Sequence, residues 1–182
     1  MGGWKKLGTK TVYSNPWINL NEDQVLRPDG KPGTYTILEI PKPSVAIIPF
    51  DNDSIYLIEN FRYPIDRFSL EIPQGASTDK EGDLLSVAKQ ELEEETGFHA
   101  EKWEKLNTFF TLPFISNDSI TFFVASILTK GERHLEATET IKDAKKYSVK
   151  EILEKISRGE ITQTTTVAGI MTLLIHQKRI AF

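Results

Sequence analysis

The chain has 182 residues, a formal net charge of −4, 39% hydrophobic and 26% charged residues, the balance of an ordinary globular protein long enough to bury roughly 70% of its unfolded surface. It contains no cysteine, which excludes disulfide frameworks, thiolate zinc sites and cysteine nucleophiles; its histidines, His99, His134 and His176, lack the i, i+4 spacing of a metal pair. The acidic balance argues against a nucleic-acid partner, and the longest apolar stretch, 167–175, broken by Gly169 and Thr172, is too short for a membrane span. No apolar run follows Lys5 and Lys6, so no secretory signal is expected and the expected location is cytoplasmic.

In chain order, 10–13 and 18–26 have strand character, Pro28-Asp29-Gly30 is turn chemistry, and 34–40 alternates as a strand, predicting a β-hairpin over about 10–40. Pro41-Lys42-Pro43 then marks the expected boundary between an N-terminal β element, 1–42, and a main domain, 43–182. Apolar runs at 45–50 and 55–59 around Asp51-Asn52-Asp53 predict a second hairpin, and Leu70-Glu71-Ile72 a short strand stopped by Pro73. A helix is expected over about 82–96, with Leu85, Ala88 and Leu92 as its apolar stripe and Gly97 at its C-cap. Strands follow at 106–111 and 120–128. Ser148 and Glu151 form a capping box that opens a helix to about 158, and a last helix runs over about 165–180. This order predicts an α/β protein of the α+β kind, a mixed sheet packed against helices.

The helix end Gln90-Glu91-Leu92-Glu93-Glu94-Glu95-Thr96-Gly97 is the most informative segment. Carboxylates at the negative end of the macrodipole are disfavoured by roughly 0.3–1 kcal/mol each, and like-charged i, i+4 neighbours such as Glu91 and Glu95 cost about 0.2–0.5 kcal/mol more. Helix stability alone does not select this pattern. At 100° per residue Glu91, Glu94 and Glu95 share one face at the rim of the apolar stripe, while Glu93 points away. Clustered hard oxygens suit Mg²⁺ or Mn²⁺ shared with substrate phosphates; a solvated acidic helix end is the plainer alternative.

Together with Glu71-Ile72-Pro73-Gln74-Gly75 upstream, this segment resembles the Nudix box, G-x5-E-x7-R-E-U-x-E-E-x-G-U, and matches it at every specified position from Glu91 through Phe98. Two departures stand out. Gln90 replaces the box arginine, and the loop is one residue longer, so that the first glutamate falls on Gly82 counted from Gly97 but on Glu81 counted from Gly75. Further segments resemble the nucleoside-diphosphate-sugar branch, typified by ADP-ribose pyrophosphatases: Asn60-Phe61-Arg62-Tyr63-Pro64, the 112–118 loop with Pro113 and Asp118, and the closing pair of helices.

The resemblance implies an α/β/α sandwich carrying an N-terminal β element, and a Mg²⁺-dependent hydrolase, with Mn²⁺ the alternative ion. The reaction it implies cleaves the pyrophosphate of ADP-ribose or a related nucleoside diphosphate sugar. It assigns metal binding to Glu91, Glu94, Glu95 and the backbone carbonyl of Gln74, with Glu94 and Glu95 also catalytic. Glu139, rivalled by Glu136, takes the place of a loop base, or else the segment is simply an acidic loop. Arg62 corresponds to a phosphate- or ribose-binding arginine, the alternative being a salt bridge to Asp66 or Glu71. Trp17 and Tyr35 fall where aromatics clamp adenine, or else they pack within the hairpin. A further arginine of the branch would fall at Ile40, leaving GDP-mannose or another sugar nucleotide as alternative substrates. Gln90 leaves room for a nucleotide-binding module without turnover. A small hairpin is not stable alone, so a homodimer through residues 10–40 is expected.

Overall fold

The computed structural model describes residues 3–77, 83–135 and 140–180. The N-terminal part is a three-stranded antiparallel sheet in the order β1 (Lys5–Ser14), β2 (Asn19–Leu26), β3 (Pro32–Glu39), not the simple hairpin expected. Its first strand starts at Lys5 because Lys5 and Lys6 already pair with Leu26 and Val25; their charge hides them from a hydrophobic pattern. The Pro28-Asp29-Gly30 turn forms as anticipated, with Gly30 N–H donating to the Arg27 carbonyl at 2.9 Å.

The main sheet has the path β10 (Lys145–Ser148), β5 (Ser54–Arg62), β4 (Ser44–Asp51), β9 (Ser119–Lys130), β8 (Phe98–Phe110), with β6 (Arg67–Glu71) paired to β5 and β7 (Gln74–Ala76) to β4. β4 lies parallel to β9, from Ser44 opposite Ile120 to Pro49 opposite Ala125. Such a strand is covered on both faces and reads as a continuous apolar run. Along β4 the side chains alternate between two cores. Val45 and Ile47 join Ala88, Leu92, Phe98 and Phe123 beneath α1 (Leu84–Thr96). Ala46 and Ile48 join Phe122, Val124, Ile152, Ile170 and Leu173 beneath α2 (Val149–Ser157) and α3 (Thr164–His176). Helices therefore cover both faces, giving the expected α/β/α sandwich.

Three strands of this sheet depart from expectation, the first being β7, which forms beyond Pro73 where a loop was expected. β8 begins at Phe98, eight residues earlier than the predicted 106, because Phe98, Ala100 and Trp103 alone turn inward along a largely exposed, charged stretch that pairs with β9. β10 was not anticipated; it is a lysine-bearing edge strand with Tyr147 opposite Ile55. The Ser148–Glu151 capping box is present. α3 stops at His176 rather than about 180, and Lys178 beyond it takes a left-handed φ of 55°. Among the described residues, no helix is long and apolar enough to cross a membrane.

Candidate active site

β4 and β5 pair only at their hairpin end, Phe50 opposite Ile55 and Asp51 opposite Ser54, and then part. The chain of β6 and β7 fills the gap. Glu71 ends the ladder opposite Ile58 on β5, and Gln74 and Gly75 then pair with Ala46 and Val45 on β4. Between them Pro73 has no N–H for either ladder, while its carbonyl accepts the Ile47 N–H at 2.8 Å. This crossing sets Arg62, Glu71 and Gln74 against the last turns of α1.

α1 is fixed at both ends by local chemistry. The Asp83 side chain accepts the Leu85 N–H, and Gly97 takes φ 71°, donating its N–H to the Glu93 carbonyl at 2.7 Å, a left-handed stop that glycine adopts at little cost. The negative helix end, crowded by glutamates, is met by the Lys130 ammonium, which donates to the Thr96 carbonyl at 2.6 Å, the placement that complements the dipole.

The carboxylates differ in environment as the 100° spacing implies. Glu95 is buried and accepts the Gln74 backbone N–H at 2.9 Å. Glu91 lies flat against Gly75, where an added Cβ would overlap its carboxylate. Glu94 is half-buried and accepts from the Gln90 side-chain amide at 2.9 Å, the contact that stands where a box arginine would sit. Glu93 points elsewhere, 3.5 Å from His99.

Arg62 pairs with Glu71, Nε to Oε1 at 3.0 Å and Nη2 to Oε2 at 2.5 Å; the glutamate is fully buried and the arginine side chain 36% exposed. The hydrogen bonds to Glu71, reinforced by the charges of Glu71 and Glu95, hold the guanidinium more firmly protonated than usual, outweighing its partial burial. Gln74 completes the group, its side-chain N–H₂ donating to Glu71 at 3.0 Å and its side-chain oxygen accepting from Gln163 at 3.1 Å. Arg62, Gln74 and Gln163 line an open cleft of about 320 Å³ whose wall also includes Gly75, Thr111, Asp118 and Thr165.

The cleft's lip is the β8–β9 loop, tied to the N-terminal sheet. Leu38 N–H donates to the Ile115 carbonyl at 2.8 Å, Ser116 Oγ to the Leu38 carbonyl at 2.7 Å, Ile40 N–H to Asn117 Oδ1 at 3.1 Å, and Tyr35 Oη to the Phe114 carbonyl at 2.8 Å. Asp118 accepts from the Thr111 hydroxyl.

The sequence-derived residues thus divide. Arg62 and Gln74 line the cleft; Glu95 and Glu91 lie behind its wall, against the Gln74 backbone and Gly75, and Glu94 sits one turn along α1 from Gln90, its hydrogen-bond partner. Trp17 and Tyr35 do not meet within the chain: Trp17 is 72% exposed in the β1–β2 turn beyond Asn19, whereas Tyr35 pairs with Asp23, four residues further along β2 and about 13 Å away at 3.3 Å per residue. Tyr35 instead stands edge-on to Trp4, centroids 5.5 Å apart. Glu139, Glu136, Glu81 and Gly82 lie outside the described residues. Sequence reasoning gave no role to Glu71 beyond a possible salt bridge, and none to Gln163; the one signal for Glu71 was its place in Glu71-Ile72-Pro73-Gln74-Gly75, and Gln163 carried only the polar character of a helix start.

The donor chemistry suits a divalent cation: Glu91 and Glu95 bring hard carboxylate oxygens against Gly75 and the Gln74 backbone, which line an open cleft. Among the described residues no three acidic or histidine side chains form a ready-made cage, so an ion here would share its shell with water and ligand phosphates, as Mg²⁺ characteristically does.

Comparison with known proteins agrees with the fold. The NUDIX domain matches residues 40–165, and the nucleoside diphosphate sugar hydrolase N-terminal domain matches residues 4–38. The chain belongs to the Nudix family. It is 31% identical over 176 residues to a methanol dehydrogenase activator from Bacillus methanolicus, covering 95% of this chain and 94% of that one. It is 26% identical over 175 residues to an ADP-ribose pyrophosphatase from Bacillus subtilis, again covering 95% and 94%, and 28% identical to one from Mycobacterium tuberculosis, covering 93% and 83%. A solved ADP compounds hydrolase shares the fold with a TM-score of 0.85 at 18% identity, covering 97% of each chain.

Proposed function

We propose that this Nudix hydrolase, of the ADP-ribose and ADP-sugar pyrophosphatase type, hydrolyses ADP-ribose to AMP and ribose 5-phosphate with Mg²⁺ as the ion. The observation that carries the reading is a cleft lined by Arg62, Gln74 and Gly75, with Glu95 bonded to the Gln74 backbone, the Glu91 carboxylate against Gly75 and Glu71 paired with Arg62. When bound, the cation neutralises charge on the pyrophosphate and lowers the pKa of water. Glu91, Glu94, Glu95 and the Gln74 carbonyl hold it. Arg62 offers a fixed positive charge to the phosphates, oriented by Glu71 rather than left to search rotamers. Glu139, with Glu136 its rival, takes the attacking water's proton.

Residues 1–42 are the proposed dimerisation and base-binding element and 43–182 the hydrolase domain. Trp17 and Tyr35 clamp the base only when a second copy supplies one of the two rings, so the clamp reading requires the homodimer. Light scattering at micromolar concentration checks this, and a monomeric mass overturns it.

The test of function is product analysis with Mg²⁺ and a panel of ADP-ribose, GDP-mannose, UDP-glucose, diadenosine polyphosphates and nucleoside triphosphates, with Glu94→Gln as control. AMP released chiefly from ADP-ribose, and lost by orders of magnitude in the control, is the expected result. Preferential turnover of GDP-mannose overturns the substrate, and ligand binding without turnover of any compound overturns the reaction.

A further inference from the structure

Gln74 is held at three places that have different owners. Its backbone N–H goes to Glu95 on α1, its side-chain N–H₂ to Glu71 on β6, and its side-chain oxygen accepts from Gln163 in front of α3. Gln163 is itself fixed, because its side-chain oxygen accepts the Thr166 N–H at 2.6 Å as the N-cap of α3. The donor and acceptor sense of the whole run is forced from both ends. A backbone N–H only donates and an ionised carboxylate only accepts, so Gln163 must present its N–H₂ to Gln74, and Gln74 must present its own to Glu71. Neither amide can turn over without setting donor against donor or oxygen against oxygen. Arg62 closes the run by donating to the same Glu71.

From this we infer that Gln163 is a positioning residue: through the Gln74 side chain it fixes the backbone on which the Gln74 carbonyl is presented to the cleft. The inference rests on the reading of that carbonyl as a cation ligand. The reason a helper is needed lies in the local chain. Pro73 precedes Gln74 and Gly75 follows it, and β7 is only three residues long, so the ladder with β4 alone leaves the Gln74–Gly75 peptide plane weakly determined. An amide clamped at both of its polar atoms removes that freedom. It also makes α3 part of the site, although α3 contributes none of the proposed ligands.

The experiment compares Gln163→Ser, Gln74→Ala and the double variant with the parent, in the full chain. Serine keeps a competent helix cap and is too short to reach Gln74, so it separates capping from positioning. Three quantities are read: the Mg²⁺ dissociation constant by calorimetry without substrate, kcat and KM for ADP-ribose at saturating Mg²⁺, and the melting temperature. The expected result is a Gln163→Ser protein melting within about 2 °C of the parent, with Mg²⁺ affinity weakened about tenfold, the scale of outer-shell changes at metal sites. kcat should fall with KM unchanged, Gln74→Ala should match it, and the double variant should be no worse than either single one. Parental Mg²⁺ affinity in Gln163→Ser, or single losses that add in the double variant, overturns the inference. Glu91→Gln distinguishes the two levels: if it leaves Mg²⁺ affinity unchanged, the cation reading fails and this inference with it. If it abolishes Mg²⁺ binding while Gln163→Ser does not weaken it, only the positioning role fails.

Discussion

Gly75→Ala isolates the geometry of the acidic cluster from its chemistry, since it removes no charge and no hydrogen-bonding group. A Cβ at this position would sit 2.5 Å from Glu91 Oε2 and closer still to the other two carboxylate atoms, where ordinary contact begins at about 3.5 Å. The carboxylate must therefore retreat by at least about 1 Å. Because what yields is the tip of a flexible side chain, and because Gly75 lies outside the left-handed region, folding should change by no more than about 1 kcal/mol, or about 2–4 °C in melting temperature at this size. Catalysis is less forgiving: a misplacement of about 1 Å costs on the order of 100-fold, equivalent to about 2.7 kcal/mol of barrier. The assay is kcat for ADP-ribose at saturating Mg²⁺ alongside a thermal melt. A variant that melts like the parent and retains kcat within about threefold would show that Glu91 has no positional role, and the cluster would need another explanation.

Glu71→Gln keeps the size of a fully buried side chain and removes its charge, leaving Arg62 without its counter-ion; allowing for the guanidinium's solvent-open edge, the expected loss is about 2–3 kcal/mol, seen as a melting temperature lower by about 5–10 °C. An unchanged melt would mean the pair contributes nothing to the fold. In the N-terminal sheet, the hydrogen bond from Thr9 at 2.6 Å, then Lys6 at 3.1 Å, holds Asp23 below its ordinary value of 3.8. A depressed carboxylate stabilises the fold above its unfolded value and loses that contribution as pH falls through its folded one. The stability gap between parent and Asp23→Asn, by denaturant titration, should thus be constant above about pH 5 and close as pH drops below 3.8; a gap that persists undiminished at about pH 2 would refute this.

What the sequence disclosed best was governed by neighbours along the chain. α1 with its Gly97 stop, the Ser148–Glu151 box and the shared face of Glu91, Glu94 and Glu95 all follow from contacts within one or two helical turns. The first half of β8 stayed hidden because its strand identity comes from pairing with β9, which lies some twenty-five residues on, while its own residues are mostly charged. Gln163 was illegible for the same reason: its partner Gln74 is 89 residues away in sequence, and no local pattern announces an amide that meets another across a cleft. Arg62 was legible only as two rival readings. The structure shows the pair with Glu71 and leaves the same residue in the wall of the cleft, so the salt bridge does not take it out of the site.

The four hydrogen bonds that tie β3 and the following Ile40 to the β8–β9 loop have a consequence for how such a chain can drift through evolution. An insertion or deletion in either stretch would strand several polar groups in the other at once. The two lengths are therefore inherited as a unit, and a lineage that remodels the lip of the cleft must recut its N-terminal sheet in the same stroke.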